Sequence, residues 1–306
     1  MSEAPDQAPD ETPDPAASAQ AAKSPARRMR EAVVAALAAA SGEDRFAEAR
    51  AAVGNSDLDE KERLRAEDLV DAVAERAPLL EQLLGNALAA AFDPAESAAL
   101  ERNALRAVAL PMLAELTGGR KATPRQLADS YAAVAAALPS PPDLDAARRL
   151  LGQLAVEVAL MKSAARLAAV QALYQMEISG QPIGKVREQF ESTRLGAEIE
   201  GEKYREADVD LFRRILAGVV DGQAAIDQLT DRVLVDHWPL GRVDATLRAL
   251  FRAAGAEFRA GAAPPKVVIS EYVDVARAFF PEGKEPGLVN AVLDAMGRDL
   301  RPDAFR

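Results

Sequence analysis

The sequence has no cysteine and a single histidine, His237, among its 306 residues. Without cysteine, the chain cannot form a disulfide framework, a thiolate zinc site, an iron–sulfur cluster or a cysteine nucleophile. One histidine excludes a multi-histidine metal site and leaves little material for a catalytic triad. Aromatic residues make up only 5% of the chain, whereas alanine runs recur. We therefore expect a core of small aliphatic side chains.

Long apolar runs and phosphate-binding glycine signatures are also missing. No stretch approaches the roughly 18 apolar residues that a membrane span needs, and neither G-x-G-x-x-G nor G-x-x-x-x-G-K-[S/T] occurs. The first twenty residues are acidic and rich in proline, unlike a secretory signal. These absences predict a cytoplasmic protein without a cofactor or a membrane partner.

The net charge of −11 is unevenly distributed along the chain. Residues 1–160 contain 26 acidic and 17 basic side chains, whereas residues 161–306 contain 22 and 20. Because phosphate binding normally depends on a basic surface, the total charge argues against nucleic acid. The acidity belongs mainly to the first half, so the nearly neutral second half is not subject to that argument.

Apolar residues recur at three- and four-residue spacings from Ala26 onward, and alternating β-branched stretches are nearly absent. Asp93-Pro94 indicates a turn or a new helix start, and Thr123-Pro124 opens another helix. A long helix is predicted from about Asp143 to Glu177, joining the two halves. The pattern after Pro264 also favours a helix. The fold class is therefore all-α.

Five segments in the second half occur in the order typical of one protein family. They are Ala165-Arg-Leu-Ala-Ala-Val-Gln-Ala-Leu-Tyr-Gln175, Trp238-Pro-Leu-Gly-Arg-Val-Asp244, Phe251-Arg-Ala-Ala-Gly-Ala-Glu-Phe258, Pro265-Lys-Val-Val-Ile-Ser-Glu-Tyr-Val-Asp-Val-Ala-Arg277 and Leu288-Val-Asn-Ala-Val-Leu-Asp294. Together they resemble the NusB family of bacterial transcription antitermination factors over about residues 162–301.

This resemblance implies an all-helical protein without catalytic activity. Members of the family pair with ribosomal protein NusE, and the heterodimer binds the boxA segment of nascent RNA and joins the RNA polymerase elongation complex. We therefore expect boxA-like RNA, NusE and the elongation complex as partners.

The RNA surface in the family lies on the first helix, which places Lys162, Arg166, Gln171 and Tyr174 on the RNA side. Lys162 and Arg166 are four residues apart and share a helical face, where they can meet phosphates, and the ring of Tyr174 can stack on an unpaired base. Ser163-Ala164 stand where family members often carry arginines, which predicts weaker RNA affinity. A half-buried core position is the alternative for Tyr174.

The NusE contact in the family uses the last helices and the loop before the Val-Asn motif. By resemblance, this places Lys284, Leu288 and Asn290 at the partner surface. Leu288 replaces the usual phenylalanine. Its smaller side chain buries less apolar area in the same pocket, which predicts weaker binding of NusE. A buried amide at a helix start is the alternative for Asn290.

The first half resembles a degenerate copy of the second. Arg30-Glu-Ala-Val-Val-Ala-Ala-Leu37 matches residues 166–173 without a gap, and Pro124-Arg125 and Tyr131 match Pro265-Lys266 and Tyr272. Common alanine-rich composition is the alternative explanation. The expected organisation is a disordered acidic tail (1–24), a helical domain or degenerate repeat (25–160), a NusB-like domain (161–301) and a short tail (302–306). The two halves could form an intramolecular pseudo-dimer.

Two further hypotheses remain open. NusB-like domains also occur in ribosomal RNA cytosine methyltransferases, so the chain could be a non-catalytic regulatory RNA-binding subunit, although it lacks the cysteine nucleophile. Alternatively, the acidic first half could mimic RNA against Lys162 and Arg166 and so inhibit the second half.

Overall fold

The computed structural model describes residues 23–100, 102–118, 123–195, 198–199, 202–203, 206–234 and 239–305. Thirteen α-helices lie within these residues, which confirms the all-α fold class. They are α1 (Pro25–Ala39), α2 (Arg45–Gly54), α3 (Glu60–Glu75), α4 (Ala77–Ala91), α5 (Pro94–Ala99), α6 (Arg102–Thr117), α7 (Pro124–Ala135), α8 (Leu144–Ser179), α9 (Ile183–Thr193), α10 (Val209–Val233), α11 (Ala245–Ala260), α12 (Pro265–Phe279) and α13 (Glu285–Leu300).

Local capping chemistry sets several of these helix ends. Asp93 and Thr123 form capping boxes at the starts of α5 and α7. The helix start predicted at Thr123-Pro124 is confirmed, and of the turn or helix start predicted at Asp93-Pro94 the helix start is the one observed. Asp143 accepts two backbone N–H bonds at the start of α8. Gly180 ends α8 with φ +65°, a left-handed conformation that a side chain would strain. The predicted long helix is thus confirmed, two residues longer at its C-terminal end.

Two hydrophobic cores share α8. The first core extends from Met29 to Met161 and is built from α1, α2, α3, α4, α6, α7 and the first part of α8. The second core begins at Ala165 and includes α10 to α13. The boundary between the cores therefore falls inside one continuous helix, and α8 fixes the first half to the second.

The two halves pack their helices in corresponding order. In the first half, α1 contacts α2, α3, α6 and α7; in the second, α8 contacts α9, α10, α11 and α12. Likewise, α6 packs on α7 as α11 packs on α12, and α7 packs on α8 as α12 packs on α13. The pair α3 and α4 takes the position that the single helix α10 has in the second half.

Three local features differ from the sequence-based expectations. The helical apolar spacing continues from Leu69 through Leu80 to Leu88, as in a single helix, but the chain forms two helices there, because it breaks at Arg76. Residues 302–305, expected to be a tail, form a 3₁₀ turn in which Phe305 packs against the second core. A two-residue antiparallel ladder joins Glu198–Ile199 (β1) and Glu202–Lys203 (β2).

Other expectations lie outside the described residues. These are most of the predicted acidic tail, up to residue 22, and the pair His237 and Trp238. Of the helices that the structure describes, none has the length and apolar character to cross a membrane.

Candidate nucleic-acid and partner interface

The second part of α8 carries the predicted RNA-facing residues. Tyr174 is 41% exposed and Ile178 is 62% exposed, while Gln171 is half-buried. Spacings of three and four residues place Gln171, Tyr174 and Ile178 on one side of the helix. The helix therefore presents an aromatic ring, an amide and an aliphatic side chain together, and Tyr174 is on the surface rather than in the core.

Arg166 lies on another face of α8, in the interior of the second half. Only 3% of the residue is exposed. Its Nε and Nη2 atoms donate to the two carboxylate oxygens of Glu257 on α11, at 3.0 and 2.6 Å. Its Nη1 donates to Glu271 on α12 at 2.8 Å, and Ser163 Oγ donates to the same carboxylate at 2.6 Å. The guanidinium therefore ties α8 to two further helices.

Pairing with carboxylates keeps the buried Arg166 guanidinium charged. Burial alone would lower the pKa of the Arg166 guanidinium, but the hydrogen bonds and charge of Glu257 outweigh it, so the pKa lies above its ordinary value. Tyr272 is fully buried beside the network, and burial together with the charge of Glu257 raises its pKa well above the usual range. Arg166 thus stays protonated and paired.

The burial and the ion pairs of Arg166 do not fit the prediction that its guanidinium meets RNA phosphates. Its donors are taken by Glu257 and Glu271, and withdrawing a buried guanidinium from its carboxylates would leave uncompensated charges in the core. Ser163, which stands where family members often carry an arginine, also has a structural contact, because its hydroxyl donates a hydrogen bond to Glu271. Arg166 therefore acts as a link between helices.

Lys162 also points inward, toward the first half. Its Nζ donates to the backbone carbonyl of Leu116 at 2.6 Å, near the C-terminal end of α6. Burial lowers the pKa of the ammonium group, an effect that Asp208 opposes and the charges of Arg166 and Arg214 reinforce. A lysine that satisfies a helix-end carbonyl is a structural contact between the halves, so this geometry does not support a phosphate contact either.

The first half contains the same kind of buried network. Arg30 on α1 donates from Nε and Nη2 to both carboxylate oxygens of Glu115 on α6, each at 2.8 Å. Tyr131 Oη on α7 donates to Glu115 at 2.8 Å, and Arg30 Nη1 reaches Ser130 Oγ at 2.9 Å. Arginine, glutamate and tyrosine therefore occur on the corresponding three helices of each half.

A third ionic cluster holds the C-terminal end of α8, close to Tyr174. Glu177 accepts hydrogen bonds from Arg248 and from Arg252 Nη1, both on α11, the latter at 2.6 Å. Arg252 also forms a two-bond pair with Asp227 on α10, at 2.8 and 2.9 Å. Burial opposes ionisation of Glu177, but the two arginines outweigh it and hold its pKa below the ordinary value.

The predicted partner residues lie around the start of α13. Lys284 is the N-cap residue and is exposed. Leu288 packs against the second core and is half-buried. Asn290 is exposed, so the buried-amide alternative does not hold. Lys284 and Asn290 are available to a partner, whereas Leu288 contributes mainly to the core.

Sequence reasoning missed Glu257. It is the one acidic residue in the segment Ala253–Phe258, on the buried side of α11. An isolated carboxylate at a core position of an amphipathic helix signals a buried cation, but its partner is 91 residues away in the sequence. Within the described residues, no group of three or more histidine, aspartate or glutamate side chains could hold a metal ion.

The described residues form an all-helical protein in which both hydrophobic cores share α8 and buried ion pairs hold its second part to α11 and α12. The profile of the NusB family matches residues 163–298. The chain is 50% identical over 141 residues to "Transcription antitermination protein NusB" of Mesorhizobium japonicum, covering 46% of this chain and 90% of that protein.

Similar proteins of the same name occur in Nitrobacter hamburgensis and Agrobacterium fabrum. The identities are 53% over 145 residues, covering 47% of this chain and 90% of the relative, and 47% over 155 residues, covering 50% and 93%. The chain belongs to the NusB family. Nearly the whole length of each relative corresponds to about half of this chain.

Proposed function

We propose that this protein is a transcription antitermination factor that binds boxA-type RNA together with ribosomal protein NusE. In this role it supports processive transcription of ribosomal RNA operons by the elongation complex, as a binding protein without a catalytic step. The observation that carries the proposal is the similarity of residues 163–298 to antitermination proteins over almost their entire length.

The arrangement of α8 supports an RNA contact through stacking rather than through buried cations. Tyr174 and Gln171 share an accessible side of the helix, and an exposed tyrosine ring can stack on an unpaired base. Lys162 and Arg166 are engaged in internal contacts, so the second half offers few phosphate contacts on this helix. We therefore expect RNA affinity to depend on NusE.

The direct experiment measures binding of the full chain to fluorescent boxA-type RNA with and without NusE. A shuffled RNA of the same composition is the control, at a stated salt concentration because phosphate contacts depend on salt. Preferential binding of boxA-type RNA in the presence of NusE is expected. Equal binding of both RNAs would refute the proposed RNA specificity.

We also propose that residues 25–160 are a degenerate second copy of the same fold. The corresponding helix contacts and the repeated arginine, glutamate and tyrosine support this relationship. Ala35 and Ala38 occupy the positions that match Gln171 and Tyr174, so the first copy offers no stacking ring there. Its role is therefore structural or directed at a different partner.

A further inference from the structure

A groove lies between α7 and the first part of α8, away from Tyr174. It has a volume of about 780 Å³. Small residues form much of its lining, with Ala128 and Ala132 from α7 and Gly152, Ala155 and Ala159 from α8. Two packed helices that carry such short side chains leave room for a further helix to approach closely.

The second half provides an internal comparison for this surface. The pair α12 and α13 packs as α7 and the first part of α8 do. We align Tyr272 with Tyr131, and we align α13 with α8 by their buried positions, so that Val289, Leu293 and Met296 fall on Ala147, Leu151 and Leu154. On α12, Arg277 pairs with Asp274 at 2.6 Å, and on α13, Arg298 pairs with Asp294 at 2.7 Å. These four side chains are 42–64% exposed.

Both ion pairs are absent from the corresponding positions of the first half. Ala136 and Ala133 stand at the positions of Arg277 and Asp274, and Val156 and Gly152 stand at those of Arg298 and Asp294. All four residues line the groove. Two solvated ion pairs of one half are thus replaced by small apolar side chains in the other.

Exposed apolar side chains continue this surface along α8. Val156 is 53% exposed and Leu160 is 41% exposed, one helical turn apart. Scattered exposed aliphatic residues are ordinary. A groove flanked by two of them, without the two ion pairs that its counterpart carries, is typical of a surface that a protein covers.

We propose that this surface, formed by α7 and residues 148–160 of α8, binds a second copy of the chain in a two-fold symmetric dimer. A two-fold contact requires a surface complementary to itself. Val156, at the edge of the groove, and Leu160 beyond it form a ridge that would enter the groove of the partner.

The charges beside the groove fit the same occupant. Arg125, Arg148 and Asp129 line it, and Asp145 pairs with Arg148 at 3.5 Å. Arg148 is thus already paired within its own chain, whereas Arg125 and Asp129 lie one helical turn apart on α7, so each copy offers both a positive and a negative charge to the other. A nucleic acid would meet the two aspartates, and so would a strongly acidic peptide.

The first experiment measures the molar mass of the full chain by sedimentation and light scattering between about 1 and 100 μM, the range expected of a modest interface. A concentration-dependent doubling of the mass is expected. Gly152→Gln fills the groove and should weaken the dimer at least tenfold. Gly85→Gln on α4 is the matched control and should leave it unchanged.

These two variants separate interface loss from misfolding. Both glycines lie inside helices, and a Cβ at either position would meet nothing within 4 Å. Glutamine is the better helix former, so both variants should fold at least as stably as the parent. A chain that stays monomeric over the whole range overturns the proposal, as does an undiminished dimer in Gly152→Gln.

A second measurement uses the absence of cysteine. Val156→Cys introduces one thiol beside the groove, and a short bis-maleimide should link two copies covalently. Ile178→Cys places a thiol on the same helix, exposed but distant from the groove, and this variant should not be cross-linked into dimers. Equal cross-linking of the two variants would refute the proposed surface, and neither measurement depends on RNA or NusE.

Discussion

Arg166 and Glu257 form a two-bond ion pair in the interior, although they are 91 residues apart in the sequence. The pair joins α8 to α11 and so fixes the helix that carries Tyr174. Its counterpart, Arg30 with Glu115, joins α1 to α6. The family resemblance predicted Arg166 on the RNA side, whereas in the structure its buried guanidinium joins α8 to α11 and α12.

Replacing Arg166 should therefore lower stability. Arg166→Ala leaves the Glu257 carboxylate buried without its cation, a loss of about 3–5 kcal/mol in the free energy of unfolding. Urea unfolding measures this loss, with Arg277→Ala as the control, because that arginine forms an exposed pair on α12 and should change little. Equal stability of the two variants would show that the buried pair does not stabilise the fold.

Replacing Tyr174 should weaken RNA binding and leave the stability of the fold unchanged. Tyr174→Ala removes an exposed ring, and loss of one stacked base corresponds to about 1–3 kcal/mol, or roughly 5- to 150-fold weaker binding with NusE present. Leu64→Ala, at an exposed aliphatic residue of α3 in the first half, is the control for general surface change. Fluorescence anisotropy tests this. If both variants bind boxA-type RNA as the parent does, Tyr174 is not a stacking residue.

Glu177 should contribute stability that depends on pH. Its pKa in the folded chain is below the ordinary value of 4.5, so the folded state favours the carboxylate. The contribution is therefore full above about pH 4.5 and disappears as the pH falls through the lower, folded pKa.

The variant Glu177→Gln tests this dependence. It should be less stable than the parent by about 1–2 kcal/mol at pH 7, because Arg248 and Arg252 lose their shared carboxylate. The difference should shrink below pH 4. Urea unfolding at a series of pH values measures it, and a constant difference from pH 7 to pH 3 would contradict the assignment.

The NusE contact should depend on exposed residues of α13. Combining Lys284→Ala with Asn290→Ala should weaken NusE binding about 5- to 30-fold without loss of stability, because neither side chain is part of the core. A matched pair in the first half, Lys61→Ala with Asn86→Ala, removes the same chemical groups from exposed positions of α3 and α4. Calorimetry measures both. Equal affinities would place the NusE surface elsewhere.

The sequence by itself determined the helical class, many of the helix ends and the family. Caps are local: Thr123 with Gln126, or Asp143 with the two amides that follow it, lie within one turn of the chain. The apolar spacing after Pro264 likewise predicted α12 correctly. Such features depend on neighbours in the sequence, so the sequence reveals them directly.

Only the tertiary structure decided which charged side chains are buried. Lys162 and Arg166 share a helical face, but whether it meets solvent depends on α6, α11 and α12, which lie far away in the chain. The groove on α7 and α8 was hidden for the same reason, since its small residues belong to two separate segments. Whether a side chain is buried depends on the other helices that pack around it. The apolar periodicity of one helix does not show which helices cover each of its faces.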